Sequence, residues 1–283
     1  MTCCCLPLLA VAALVLPLAR AQCTLARSKE KCEELPSDCH WSSQTCLGGG
    51  TRLNVLFLAA DDLRIQLGND RVPGTHAMTT PHLDALANRS LFLRKAQVQQ
   101  AVCGPTRASV LTSRYPDTTR VWDLYSYWRD VGGNFTTIPQ LFKQQGYHTV
   151  GSGKIFHPGH ASGAHGTVPG HSSNGDDAPY SWSGPFFHAP NKAYWSGKTR
   201  QPGCPECGNS WIAVSPDAEQ KKPLPGSQIA DHAIAQLANF SERGIGRQTG
   251  SGSGSSQPFF LAAGFHKPHL PFVAPERFFQ SYP

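Results

Sequence analysis

Beyond residue 21 no stretch is long and apolar enough to cross a membrane. There is also no long run of Lys or Arg, no nucleic-acid-binding motif and no internal repeat. These absences argue against a polytopic membrane protein, a nucleic-acid binder and a repeat architecture. Charge of either sign is in modest supply: 25 basic against 19 acidic residues leave a formal net charge of +6. One of those positive charges, Arg20, lies in a leader-like segment. The excess suits an anionic ligand without identifying one.

What is present begins with residues 1–21, which read as a signal peptide. Residues 6–18 form its apolar stretch, and Ala19-Arg20-Ala21 supplies a small-x-small cleavage pattern, although the segment before the apolar stretch has no Lys or Arg. Three of the ten cysteines, Cys3, Cys4 and Cys5, belong to this leader. Cys23, Cys32, Cys39 and Cys46 crowd residues 22–50, a small Cys-rich module that ends in Gly48-Gly49-Gly50 and has three possible pairings. Cys204 and Cys207 are near neighbours, suited to a local disulfide; a zinc site would need two further ligands that the sequence does not offer. Cys103 is left over, which arithmetic alone would explain by an intermolecular bridge or an inert buried thiol. Three N-x-S/T sequons, at Asn88, Asn134 and Asn239, agree with export.

Residues 54–60 are a continuous apolar run, expected as a strand buried on both faces. Pro81 opens a helix with Leu83, Leu86, Ala87 and Ser90 on one face. Further helices are expected over 105–113, over 139–145 ended by Gly146, and over 227–240 with Ile229, Ala233, Ile234 and Leu237 inside. Strands are expected over 147–151 and 259–264. Residues 158–178 read as a long loop, 183–226 show little periodicity and many prolines, and 244–256 are a Gly/Ser-rich linker of disordered type. Alternating strands and helices predict an α/β fold with a mainly parallel sheet sandwiched by helices, over residues 51–283.

In such sheets ligands sit beyond the carboxyl ends of the strands. Three polar groups fall there: Asp61-Asp62, Lys154 with His157, and His266-Lys267. Paired aspartates after a strand suit a hard divalent cation; equally, Asp62 can cap a helix and leave Asp61 in solvent. Asp176-Asp177 could imitate that pair but reads better as a solvated loop. His165, His171 and His188 stand in loops and receive no role.

Cys103-Gly104-Pro105-Thr106-Arg107 followed by Leu111-Thr112-Ser113-Arg114, with Asn54-Val55-Leu56 and Asp61-Asp62 before it, resembles the signature of the sulfatase family. The likeness continues through Ser126-Tyr127-Trp128-Arg129, Gly153-Lys154-Ile155-Phe156-His157-Pro158-Gly159, Asp176-Asp177-Ala178-Pro179-Tyr180-Ser181-Trp182 and Gly264-Phe265-His266-Lys267-Pro268-His269. The resemblance implies an alkaline-phosphatase-like fold and an exported, lysosomal hydrolase of sulfated glycosaminoglycans. It also implies that a formylglycine-generating enzyme oxidises Cys103 to formylglycine, whose hydrate attacks sulfur with one hydroxyl and releases sulfate through the other.

By the same resemblance Asp61, Asp62 and the modified Cys103 would hold Ca²⁺, and Arg107 would hold the nucleophile. Lys154 and His157 would bind nucleophile and sulfate, with His157 as base. His266 would bind sulfate or protonate the leaving group, and Lys267 would contact sulfate. Two departures stand out. Thr106 replaces the family's usual Ser, and the further metal ligands of the family are expected from sequence after residue 283. The chain therefore reads as an N-terminal portion, truncated at the C-terminus, with little activity of its own. Two rival readings remain, a related hydrolase of another ester and a catalytically inactive secreted glycan binder.

Overall fold

A computed structural model describes residues 39–42, 45–48, 52–64, 67–68, 78–164, 175–178, 180–190, 211–246 and 257–282. The signal peptide, Cys23, Cys32, Cys204, Cys207, His165, His171 and most of the Gly/Ser-rich linker lie outside these residues. Two compact units are distinguished. The smaller comprises residues 1–53 and 85–94 and contains an antiparallel hairpin, β1 (Cys39–Ser42) and β2 (Thr45–Gly48), in register Cys39↔Gly48 to Ser42↔Thr45.

The larger unit is built on a three-stranded parallel sheet. Its strands are β3 (Val55–Asp61), β4 (His148–Gly153) and β6 (Phe259–Pro268), in the order β3-β6-β4. β6 is central, and its pairs run Val55↔Phe260 to Ala60↔Phe265 on one side and His148↔Phe259 to Gly153↔Gly264 on the other. A second parallel pair joins β5 (Trp211–Val214) to β7 (Phe272–Pro275). The α/β class and the parallel sheet expected from the sequence are found.

Strand periodicity sorts the core into two layers. Phe260 and Ala262 point to one face of β6, Leu261 and Ala263 to the other, and all four are buried. The first face packs against α2 (Cys103–Thr112) through Ala108 and Leu111, and against Phe142 of α5 (Ile138–Gln144). Phe57, Phe142 and Phe260 form a stacked series there, with centroids 6.2 and 4.8 Å apart. The second face is covered by α7 (Pro225–Glu242), which buries Ile229, Ala233 and Phe240 against Leu261 and Ala263. The remaining short helices are α1 (Pro81–Ala87), α3 (Pro116–Thr119), α4 (Trp128–Val131), α6 (Pro216–Lys221) and α8 (Glu276–Phe279). No helix among the described residues is long and apolar enough to span a membrane.

The structure corrects three expectations. β3 is covered on one face only: Val55, Phe57 and Ala59 meet the core, whereas Leu56 and Leu58 are 50% and 56% exposed. β3 is an edge strand here, and α7 packs on its neighbours β6 and β4. Ile234 and Leu237 face outward on α7, because the 229, 233, 240 stripe is the one that meets β6. Leu83 and Leu86 of α1 are likewise exposed, since that helix buries no residue.

Candidate active site

Because the three strands run parallel, their carboxyl ends share one edge of the sheet. β3 delivers Asp61 and then Asp62, which adopts a left-handed φ of 58°. β4 is followed by Lys154 and His157, and the last third of β6 carries His266 and Lys267. The residues expected at strand ends are therefore where the sequence placed them.

α2 starts at Cys103 itself. Val102 before it is extended and provides no side-chain cap, and Pro105 falls within the first turn. Cys103 is a free, half-buried thiol. Arg107 follows four residues later, so both project from one side of the helix. Thr106 is engaged locally, its hydroxyl donating to the Gln100 carbonyl.

Arg107 ties the strand ends together. Its Nη2 donates to Asp61 Oδ1 at 2.8 Å, and its Nη1 donates to the carbonyls of Lys154 and Ile155 at 2.5 and 2.8 Å. The Lys154 ammonium donates to the other oxygen, Asp61 Oδ2. Asp61 is thus a buried carboxylate with a separate cation on each oxygen. Burial alone would raise its pKa; the Arg107 and Lys154 charges and hydrogen bonds outweigh burial and hold it below the usual carboxylate range.

The same cations act on the histidines. Burial, aided by the Lys154 and Arg107 charges and opposed by Asp61, pushes His266 down to about 3. His157 is lowered for the same reasons, with its contact to the Pro158 carbonyl opposing. Both rings are therefore neutral near pH 7 and can accept a proton or a hydrogen bond. Lys267 is lowered by burial, and its ammonium donates to the carbonyls of His269, at 3.1 Å, and Pro271. Asp62 is exposed, with His269 Nε2 at 3.8 Å from its Oδ2.

The donor set suits a hard cation in kind but not in number. No group of three or more His, Cys, Asp or Glu side chains gathers among the described residues. Both Asp61 oxygens already serve Arg107 and Lys154, whereas Ca²⁺ takes about six to eight oxygens. These residues alone do not make a calcium site.

The solvated-loop expectation for Asp176-Asp177 is overturned. The two are 1% and 0% exposed and both have left-handed φ. Arg129 grips Asp177 through Nε at 2.7 Å and Nη2 at 2.9 Å, and the Tyr127 and Ser181 hydroxyls donate to the same carboxylate. Asp176 Oδ2 meets His188 Nε2 at 2.7 Å. Arg129 supplies the charge that allows burial. Sequence proximity gave no sign of a partner about 50 residues away, and His188 was likewise invisible as one.

The family model for Sulfatase matches residues 53–283, and the chain belongs to that family. Among curated proteins it is 42% identical to iduronate 2-sulfatase of Homo sapiens over 232 residues, covering 82% of this chain and 38% of that protein. It is 41% identical over 233 residues to the Mus musculus protein of the same name, with the same coverage. The chain therefore spans about two fifths of the length of these relatives. The phosphonate monoester hydrolase of Agrobacterium radiobacter shares the fold, with a TM-score of 0.50 at 22% identity over 80% of this chain and 43% of that one.

Proposed function

We propose that this chain is the nucleophile-bearing part of a sulfatase that hydrolyses sulfate esters, with the 2-O-sulfate of iduronate in heparan or dermatan sulfate as substrate. The single observation that supports it best is the meeting of Arg107, Lys154 and Asp61 at the strand ends, one helical turn from Cys103. Similarity to the two iduronate 2-sulfatases supports the choice of sugar.

In this reading Cys103 is the position converted to formylglycine by its generating enzyme, and the aldehyde hydrate would supply the attacking oxygen. Arg107 fixes the first turn of α2 to the ends of β3 and β4. Lys154 and His266 flank the place for a sulfate, and Lys267 adds positive potential from the turn it holds. His157, neutral, takes a proton from the nucleophile position. Asp61 and Asp62, with the modified Cys103, are the side chains turned toward a Ca²⁺ ion that needs ligands beyond the described residues. No step is assigned to it. Residues 1–21 act as an export signal, residues 22–50 as a separate Cys-rich module and residues 51–283 as the sulfatase portion, bound for the lysosome.

Mass analysis of the peptide spanning Cys103, from protein made in a secretory cell, tests this directly. The expected result is the aldehyde or its hydrate in place of the thiol. An unmodified thiol in every molecule would overturn the nucleophile assignment. A second reading, a sulfated-glycan binder without turnover, is favoured by the small donor set around Asp61. It requires that Cys103→Ala leave sulfated-oligosaccharide binding intact while no ester is hydrolysed by the parent chain.

A further inference from the structure

A cleft of about 320 Å³ opens where the end of β6, the start of α7, β7 and α8 converge. It adjoins the strand-end cluster: His266 lines the cleft and also lies within the electrostatic reach of Lys154, Asp61 and Arg107. Its walls are apolar, formed by Leu224, Phe265 and Val273, with Phe278 at the rim, 55% exposed. Its charged side chains are Lys267 and Arg277; no carboxylate lines it. The Arg277 guanidinium lies 4.8 Å from the Phe278 ring centroid and 62% exposed, and it shares Glu219 at 3.1 Å.

An open aromatic rim with neighbouring cations and no acid selects a ligand with a C–H face and a negative substituent. An acidic pyranose has both: its axial C–H groups stack on an aromatic ring, and its carboxylate or sulfate meets a guanidinium. The volume lies at the small end of the range for ligand pockets, about 300–1,000 Å³, and suits one ring rather than a chain segment. We propose that this cleft is the subsite for the sugar adjoining the sulfated residue in an acidic polysaccharide, stacked on Phe278 with its anionic group toward Arg277. The proposal rests on the strand-end cluster being the sulfate-ester site.

Gly226 allows a clean test. It lines the cleft, and a Cβ built on it meets nothing within 4 Å, so a larger side chain grows into the open space without displacing the fold. The variants are Gly226→Phe, to fill the cleft, Arg277→Glu, to reverse its rim charge, and Gly226→Ala as a control with an unblocked cleft. Calorimetric titration of the full chain, in excess Ca²⁺, would use a sulfated uronate monosaccharide and the uronate–hexosamine disaccharide that contains it. The disaccharide should bind about tenfold more tightly than the monosaccharide. That advantage should vanish in Gly226→Phe, shrink in Arg277→Glu and persist in Gly226→Ala, while monosaccharide affinity stays constant. Monosaccharide binding with no disaccharide advantage, or an advantage that survives Gly226→Phe, overturns the subsite and leaves the sulfate site standing. Failure of both sugars to bind overturns the sulfate-site reading and the subsite with it.

Discussion

Arg107 and Asp61, 46 residues apart in the chain, meet at 2.8 Å, with side-chain exposures of only 11% and 4%. The contact joins the first helix of the signature motif to the end of the first core strand, and Lys154 closes it from the second.

Asp61→Asn should therefore be costly. It leaves two buried cations facing a neutral amide, for which the expected loss is about 3–5 kcal/mol of folding stability. Urea unfolding of both proteins measures it. Asp61 has a depressed folded pKa, so its contribution is present above about pH 3.9 and fades as the pH falls through the folded value. The difference between parent and variant should shrink in acid.

Gly264→Ala should disturb the site without touching a functional side chain. A Cβ on Gly264 would stand 2.1 Å from the Lys154 carbonyl oxygen, which is backbone and has little room to yield. β4 and β6 would have to part where Lys154 begins, at a cost of about 1–3 kcal/mol. Thermal unfolding should show the loss. The amide resonances of Lys154 and Ile155 should shift more than those of α7.

Arg129→Ala should cost about 3–5 kcal/mol, because Asp177 is fully buried and loses its counter-charge. Arg129→Lys keeps the charge but cannot reproduce the paired contact at 2.7 and 2.9 Å, nor the donation to Gln140 Oε1 at 2.8 Å. Its loss should be intermediate, about 1–3 kcal/mol. Equal losses for the two variants, measured by urea unfolding, would show that the fork geometry contributes nothing.

His232 predicts an acid response. Its ring stacks on Phe187 at 4.1 Å and 4°, its buried Nδ1 has no hydrogen-bond partner, and burial lowers its pKa. The folded state favours the neutral ring, so this contribution is complete above the unfolded pKa of about 6.5 and falls away below it. The thermal midpoint should drop between neutral and mildly acid pH. His232→Phe, which keeps the stack and removes the proton site, should make that drop smaller.

Much of this was readable from residue order. Long apolar strands, Pro-opened helices and polar strand ends placed Asp61, Lys154, His157, His266 and Lys267 on one edge, because a parallel sheet leaves few alternatives. What stayed hidden depended on partners distant in sequence. The β5–β7 pair is only four residues per strand and sits in a proline-rich stretch without periodicity. The Asp177–Arg129 contact has no local signature. Leu56 and Leu58 read as core because hydrophobicity reports what a residue prefers, not whether anything lies opposite it.

The pairing of β3 with β6 also sets an order of events during synthesis. Asn54 Oδ1 accepts from the Phe259 amide across 205 residues, and every β3–β6 pair spans a similar stretch. A chain made from its N-terminus cannot close this sheet until β6 has emerged. Cys103 is translated well before that, while its eventual surroundings do not yet exist. An enzyme that must reach the Cys103 thiol therefore has an interval, set by the translation of more than half the chain, in which the motif is an accessible peptide rather than the first turn of a packed helix.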